Sequence, residues 1–102
     1  MATAIALYNT PIDREAFDAY YASTHVPLAK KLPGLRSYRV SKRAVMTPAG
    51  PAPYHLVAML AFKSMKDIQE ALASAQGQAV VKDLENFATG GVTVLIFEDT
   101  DA

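Results

Sequence analysis

The sequence predicts a single α+β domain in which the elements follow the order β-α-β-β-α-β. Four short runs are rich in apolar and β-branched residues, two longer runs repeat apolar residues with the helical period, and proline, glycine or polar turn residues separate them. A chain of 102 residues is too short to divide into parts that each bury a core. We therefore expect residues 1–102 to form one domain.

The composition excludes several classes of function. Ten basic residues balance ten acidic ones, so the chain lacks the charge excess typical of proteins that bind nucleic acid or anionic membranes. There is no cysteine, which excludes disulfides and thiolate metal sites. No apolar run approaches the roughly 20 residues that span a bilayer, and the first residues do not resemble a secretory signal. We expect a soluble, cytoplasmic protein without nucleic-acid or membrane partners.

The first strand and the first helix occupy the N-terminal third of the chain. Thr3–Tyr8 is apolar at odd and even positions, which is typical of a strand covered on two faces. The helical period begins at Arg14, and either Thr10 or Asp13 could cap this helix. The apolar stripe of the helix is formed by Phe17, Tyr21, Leu28 and Leu32.

An irregularity interrupts the first helix near a histidine. His25 lies on the edge of the apolar stripe, and Pro27 follows it closely. Proline removes a backbone hydrogen bond to Ser23 and disfavours helical torsions at Val26. We therefore expect a kink or a restart between Ser23 and Pro27, and we expect Gly34 to end the helix in a left-handed conformation.

Three more strands and a second helix follow. Leu35–Val45 and Tyr54–Lys63 read as the second and third strands, joined by a turn-rich connector, Thr47–Pro53, without strand potential. The second helix runs over Ser64–Phe87, where Ser64 is a cap and a glycine at position 77 interrupts the helix. Val92–Phe97 is the last strand. This order predicts a ferredoxin-like fold with a four-stranded antiparallel sheet.

The apolar character of both faces of the strands predicts a homodimer. Helices cover only one face of a ferredoxin-like sheet, so the other face would expose more apolar surface than monomers tolerate. A second copy that packs sheet against sheet would cover it. The alternative is that the second face consists of lightly exposed alanines and valines.

The residues with useful chemistry near neutral pH are His25 and His55. His25 lies at the expected kink, where an imidazole can accept or donate a proton; the alternative is a core histidine that hydrogen-bonds a carbonyl. His55 opens the third strand and reads as a surface or interface residue. The carboxylates read as solvating charges, and neither a metal-ligand cluster nor a phosphate-binding loop is present, so we expect no metal and no cofactor.

Aromatic side chains near His25 are candidates to hold a ring-shaped ligand or to polarise its oxygen. Tyr8 and Asn9 project to opposite faces of a strand, so both cannot line one pocket. The simpler alternative is that the tyrosines are ordinary strand and helix-edge residues. The candidate ligand-binding set is Tyr8, Asn9, Phe17, Tyr21 and Tyr38.

The segment PIDREAFDAYYASTHVPLAKKLPGLRSYRV, residues 11–40, resembles the signature of the EthD family, named for ethyl tert-butyl ether degradation. The ending at Phe97–Asp99 also fits, so the resemblance covers nearly the whole chain. The matching positions are Asp13, Phe17, Tyr20, Tyr21, His25, Pro27, Leu28, Pro33, Gly34 and Leu35.

The resemblance implies a dimeric α+β barrel and a role for His25. Similar proteins include lactone isomerases, lyases of aromatic breakdown and cofactor-free monooxygenases, and their first-helix histidine handles protons. Haem-degrading relatives carry their ligand histidine in the second helical region, but Ser64–Phe87 has none here, which argues against haem. The resemblance also suggests that a pocket lies beside His25 and that the kink at Pro27 forms part of its wall.

Three functions are therefore kept open. The first is a protein that binds a small aromatic or lactone catabolite and acts as a cofactor-free isomerase or lyase, with His25 as general acid and base. The second is a non-catalytic accessory or small-molecule-binding protein of a degradation pathway. The third is a cofactor-free monooxygenase.

Overall fold

The computed structural model describes all residues, 1–102. The strands are β1 (Ala2–Asn9), β2 (Ser37–Val40), β3 (Met46–Thr47), β4 (Gly50–Pro51), β5 (Tyr54–Phe62) and β6 (Val92–Glu98). The helices are α1 (Arg14–Tyr20), α2 (Val26–Ala29), α3 (Met65–Ala73) and α4 (Ala75–Asp83). A π turn, Tyr21–His25, joins α1 to α2, and a 3₁₀ turn, Leu84–Asn86, follows α4.

The main sheet has four antiparallel strands in the order β2-β5-β1-β6. This order and the element sequence confirm the predicted ferredoxin-like α+β fold. In β1 the even-numbered residues face the helices, since Ala2 and Tyr8 are buried. Their neighbours in register share that face: Ala6 pairs with Ala58 on β5 and with Val94 on β6.

Side-chain caps fix where the helices begin. Of the two caps that the sequence allowed, the structure has Asp13, whose carboxylate accepts a hydrogen bond from the Ala16 N–H at 3.0 Å. Ser64 caps α3 as expected, because its hydroxyl accepts from the Asp67 N–H at 3.1 Å. Gly34 has φ = 77°, the predicted left-handed conformation.

The irregularity in the first helix is a π turn rather than a kink with non-helical residues. The Val26 N–H bonds to the carbonyl of Tyr21, five residues earlier, and Val26 keeps helical torsions (φ −58°, ψ −49°). The expected departure of Val26 from helical torsions is therefore wrong. Pro27 lies in the first turn of α2, where the N–H that it lacks is not needed by the new helix.

The second strand and its connector differ from the prediction. Regular pairing covers only Ser37–Val40, and the connector contains the small β3–β4 hairpin, in which Thr47 pairs with Gly50. The Thr47 hydroxyl donates to the Gly50 carbonyl at 2.9 Å and accepts from the Ala49 N–H at 3.2 Å. This segment has no alternating pattern because side-chain bonds inside the turn, rather than a buried face, hold the hairpin.

The second helix breaks at Ser74, not at Gly77 as expected. Ser74 has extended torsions (φ −69°, ψ 164°), and its hydroxyl accepts from the Gly77 N–H at 3.1 Å. Gly77 lies inside α4, buried against the end of α3. A Cβ at this position would lie 2.0 Å from the carbonyl oxygen of Ala71, so the glycine allows the two helices to approach closely.

The core lies between the helices and one face of the sheet. One cluster centres on Phe62 and Ile68, and a second on Tyr8, Phe17 and Phe87. The opposite face of the sheet carries no element of the chain. None of the helices has the length and apolar character that crossing a membrane requires.

Candidate functional site

A buried histidine–carboxylate pair joins the π turn to the end of α4. His25 is 3% exposed and Asp83 is 6% exposed. Nδ1 of His25 lies 2.9 Å from Oδ2 of Asp83. Because an ionised carboxylate only accepts hydrogen bonds, Nδ1 carries the proton, and the neutral imidazole keeps a lone pair on Nε2.

Two further donors hold the carboxylate of Asp83. The Tyr20 hydroxyl donates to Oδ1 at 2.6 Å, and the Asn86 amide donates to the same oxygen at 3.0 Å. Burial alone would raise the pKa of Asp83, but the hydrogen bonds from Tyr20, Asn86 and His25 outweigh it and hold that pKa below its ordinary value. Asp83 is therefore ionised at neutral pH.

His25 is a neutral imidazole with one free nitrogen. Burial lowers its pKa below the ordinary histidine value, and the hydrogen bond and charge of Asp83 only partly oppose this effect. Nε2 has no hydrogen-bond partner in the protein, and the atom is not fully buried. It can therefore accept a proton from a bound molecule.

An apolar cavity lies beside His25, between the helices and the sheet. Its volume is about 90 Å³, and 16 of its 17 lining residues are hydrophobic, the exception being His25. Buried side chains such as Phe62 and Ile68 form part of its lining. Val81 on α4 and Val94 on β6, each 51% exposed, form the rim of the mouth.

Three of the candidate residues from the sequence line this cavity, namely Tyr8, His25 and Tyr38. The Tyr8 hydroxyl has no hydrogen-bond partner in the protein and is not sealed from accessible space. Burial raises the pKa of Tyr8 and of Tyr38, so both phenols stay neutral and can donate at neutral pH.

The other candidates do not line the cavity. Tyr21 lies behind it, with its hydroxyl 2.5 Å from that of Tyr38, and Phe17 stacks on Tyr21 with ring centroids 5.7 Å apart. Asn9 is exposed, and its amide donates to the Gly90 carbonyl at 3.1 Å. Pro27 is also exposed and is not part of the cavity wall.

Sequence reasoning missed Asp83. The prediction that the carboxylates are solvating charges is wrong for Asp83. The available signal was its position: Asp83 lies three and four residues from Val80 and Phe87, on the apolar face of its helix. A carboxylate on such a face needs buried partners.

His55 is separate from the cavity. It is partly buried, its Nε2 lies 2.7 Å from Oδ1 of Asp18, and its ring meets that of Phe17 edge-on. No group of three or more histidine, aspartate or glutamate side chains is arranged to hold a metal ion.

The fold and the site define a small ferredoxin-like α+β protein with a His–Asp pair at the wall of an apolar cavity. A family model described as the EthD domain matches residues 9–91. The chain belongs to the EthD family.

Two relatives resemble most of the chain. An uncharacterized 11.0 kDa protein from the thcB-thcC intergenic region of Rhodococcus erythropolis is 39% identical over 93 residues, which cover 91% of this chain and 89% of that protein. The crystal structure of an EthD-family protein from Bacillus halodurans is 35% identical, with a TM-score of 0.89 over 98% of this chain and 99% of that one.

Two more distant structures share the fold. SnoaB, a cofactor-independent oxygenase from Streptomyces nogalater, has a TM-score of 0.70 at 12% identity, over 99% of this chain and 94% of that one. A dimeric protein of unknown function from Bacteroides fragilis with a ferredoxin-like fold has a TM-score of 0.63 at 14% identity, over 96% and 95% of the two chains.

Proposed function

We propose that this EthD-family protein is a cofactor-free enzyme, an isomerase or lyase, that moves a proton on a small aromatic or lactone compound. The observation that carries the proposal is the free Nε2 of His25 beside the cavity, with Nδ1 held by Asp83. A neutral imidazole with a fixed tautomer is suited to act first as general base and then as general acid.

The reaction begins when Nε2 of His25 takes a proton from a carbon next to a carbonyl group. The electron pair of the broken C–H bond moves into an enolate, whose oxygen accepts a hydrogen bond from Tyr8. Asp83 stabilises the imidazolium that forms and stays ionised. His25 then returns the proton at another carbon, which gives an isomer, or to a leaving group, which gives elimination.

The proposed active form is a homodimer that packs sheet against sheet into an α+β barrel. The uncovered face of the sheet supports it, since Met59 is 36% and Leu95 48% exposed there. The Bacteroides fragilis protein of the same fold is described as dimeric.

A cofactor-free monooxygenase is the second candidate. It starts with the same step, removal of a proton by His25, after which O₂ reacts with the carbanion. The description of SnoaB as a cofactor-independent oxygenase favours keeping this candidate. Oxygen consumption that depends on the added compound separates it from the isomerase or lyase.

Exchange of carbon-bound hydrogen for deuterium tests the base without knowledge of the natural substrate. Small ketones, lactones and phenols are incubated with the protein in D₂O, and loss of the proton signals is followed by NMR. We expect catalysed exchange on at least one compound, and a loss of roughly 100-fold or more in His25→Gln. His55→Gln, the matched control outside the cavity, should keep the wild-type rate.

Two outcomes would count against the proposal. Exchange that is equally fast in His25→Gln would exclude His25 as the base. Binding of compounds beside His25 with no exchange on any of them would instead support the accessory, small-molecule-binding role.

A further inference from the structure

Within the proposed function, on which this inference rests, we infer that the cavity selects an uncharged ligand: a ketone, ester, lactone or phenol without a carboxylate or phosphate group. This preference for uncharged ligands narrows the substrate class that the fold leaves open.

No cation is available to an anionic ligand inside the cavity. None of the lining residues is lysine or arginine, and the only polar groups among them are the imidazole of His25 and the hydroxyls of Tyr8 and Tyr38. The charge nearest to His25 is the carboxylate of Asp83, directly behind the imidazole at 2.9 Å. A ligand carboxylate would thus lose its hydration and meet a like charge, which disfavours binding.

The groups that do reach the cavity suit a neutral oxygen. The unpartnered Tyr8 hydroxyl can donate one hydrogen bond, which satisfies a carbonyl oxygen. The cavity volume of about 90 Å³ is smaller than the roughly 150 Å³ of a cavity that admits benzene, so we expect a six-membered ring to extend towards the exposed Val81 and Val94. Apolar substituents there meet only apolar side chains.

The cationic side chains that could attract an anion lie elsewhere. Arg14 and Arg43, which form no ion pair, line a separate surface depression together with His55. The two histidines therefore report on different places: His25 on the cavity and His55 on the cationic depression.

A matched pair of compounds tests the inference. 4-Hydroxyacetophenone and 4-hydroxybenzoate share a ring and differ in an uncharged acetyl group against a carboxylate. Each is titrated at neutral pH while the imidazole NMR signals of both histidines are followed. We expect the Kd of the ketone, measured from the shift of the His25 signals, to be at least about tenfold lower than that of the carboxylate. Any signals that the carboxylate shifts should be those of His55.

A pair of variants at the mouth tests whether an added positive charge allows an anionic ligand to bind. Val81→Lys adds an ammonium group to the rim at a half-exposed helical position, where it should be tolerated. We expect Val81→Lys to tighten 4-hydroxybenzoate binding at His25 by about tenfold, and Val81→Gln, the matched uncharged control, to leave it weak.

The outcomes separate this inference from the proposed function. If the carboxylate shifts the His25 signals of the wild type with a Kd equal to that of the ketone, or if neither compound shifts them, the inference is overturned. If the ketone selectively shifts His25 but His25→Gln exchanges carbon-bound hydrogen at the wild-type rate, the base proposal fails and the charge selectivity stands.

Discussion

The environment of His25 depends on a single charged neighbour. Burial disfavours the imidazolium, and the hydrogen bond and the negative charge of Asp83 partly oppose this effect. Asp83 can be charged and buried because three side chains donate to its two oxygens, those of His25, Tyr20 and Asn86. The basicity of Nε2 is therefore set by burial and by Asp83, the last residue of α4, which opposes the effect of burial.

Replacement of Asp83 by asparagine should make His25 a weaker base. The charge that raises the pKa of His25 is lost, so that pKa should fall further below its ordinary value, as measured by NMR titration. Hydrogen exchange on a responsive compound should slow by about tenfold or more. Tyr20→Phe removes only one donor to Asp83 and should have a smaller effect, whereas an unchanged His25 pKa in Asp83→Asn would contradict the coupling.

At this scale the sequence identified only half of the pair. His25 is recognisable in the sequence because it interrupts an apolar stripe and lies two residues before a proline. Asp83 lies 58 residues away in the chain, and only the packing of α4 against the π turn brings the two together. Its place on the apolar face of a helix could have indicated a buried partner, but not which one.

Among the elements, the junction of α3 and α4 shows how a residue can be misinterpreted from sequence. A glycine within a helical pattern usually suggests a break. Here the polypeptide turns at Ser74, whose hydroxyl caps α4, and Gly77 is needed because the backbone of α3 passes too close for a side chain.

Gly77→Ala should therefore destabilise the protein, although alanine is the better helix former. The added methyl group would lie 2.0 Å from the Ala71 carbonyl oxygen and 2.7 Å from Cα of Leu72, so the helices must move apart. We expect a loss of about 1–3 kcal/mol in the free energy of unfolding, measured in urea. Gln76→Ala, an exposed change in the same helix, should be nearly neutral; equal or greater stability of Gly77→Ala would refute the close approach.

At the scale of the whole molecule, the buried pair should make stability depend on pH. The pKa of His25 is lower in the folded than in the unfolded protein, so between these values the unfolded state binds more protons and stability falls as the pH falls. The lowered pKa of Asp83 has the same sign and acts at lower pH.

Urea unfolding at about pH 7.5 and about pH 5.5, on either side of the ordinary histidine pKa of about 6.5, measures this effect. The wild type should lose stability at the lower pH, by about 1.4 kcal/mol for each unit by which folding lowers the His25 pKa, once the pH is below both values. His25→Gln should lose less, and His55→Gln should keep the His25 contribution. A wild-type stability that rises on acidification would contradict the sign.

The bare sheet face gives the second prediction at this scale. Met59 lies on the face opposite the helices, in register with Ile5 of β1, so Met59→Lys should place a charge in the proposed dimer interface. Light scattering after gel filtration should show a dimer for the wild type and a monomer for Met59→Lys. Ile12→Lys, at a loop residue that is 89% exposed, should stay dimeric. A monomeric wild type would rule out the sheet-to-sheet assembly.

The sequence by itself determined the order and type of the main elements, the caps at Ser64 and Gly34, and the choice of His25, because these depend on local torsional preferences and on the period of apolar residues. The tertiary structure decided the partner of His25, the lining of the cavity, and the need for glycine at position 77. These features depend on contacts between residues that are distant in the chain, such as His25 with Asp83, and no local pattern specifies such contacts.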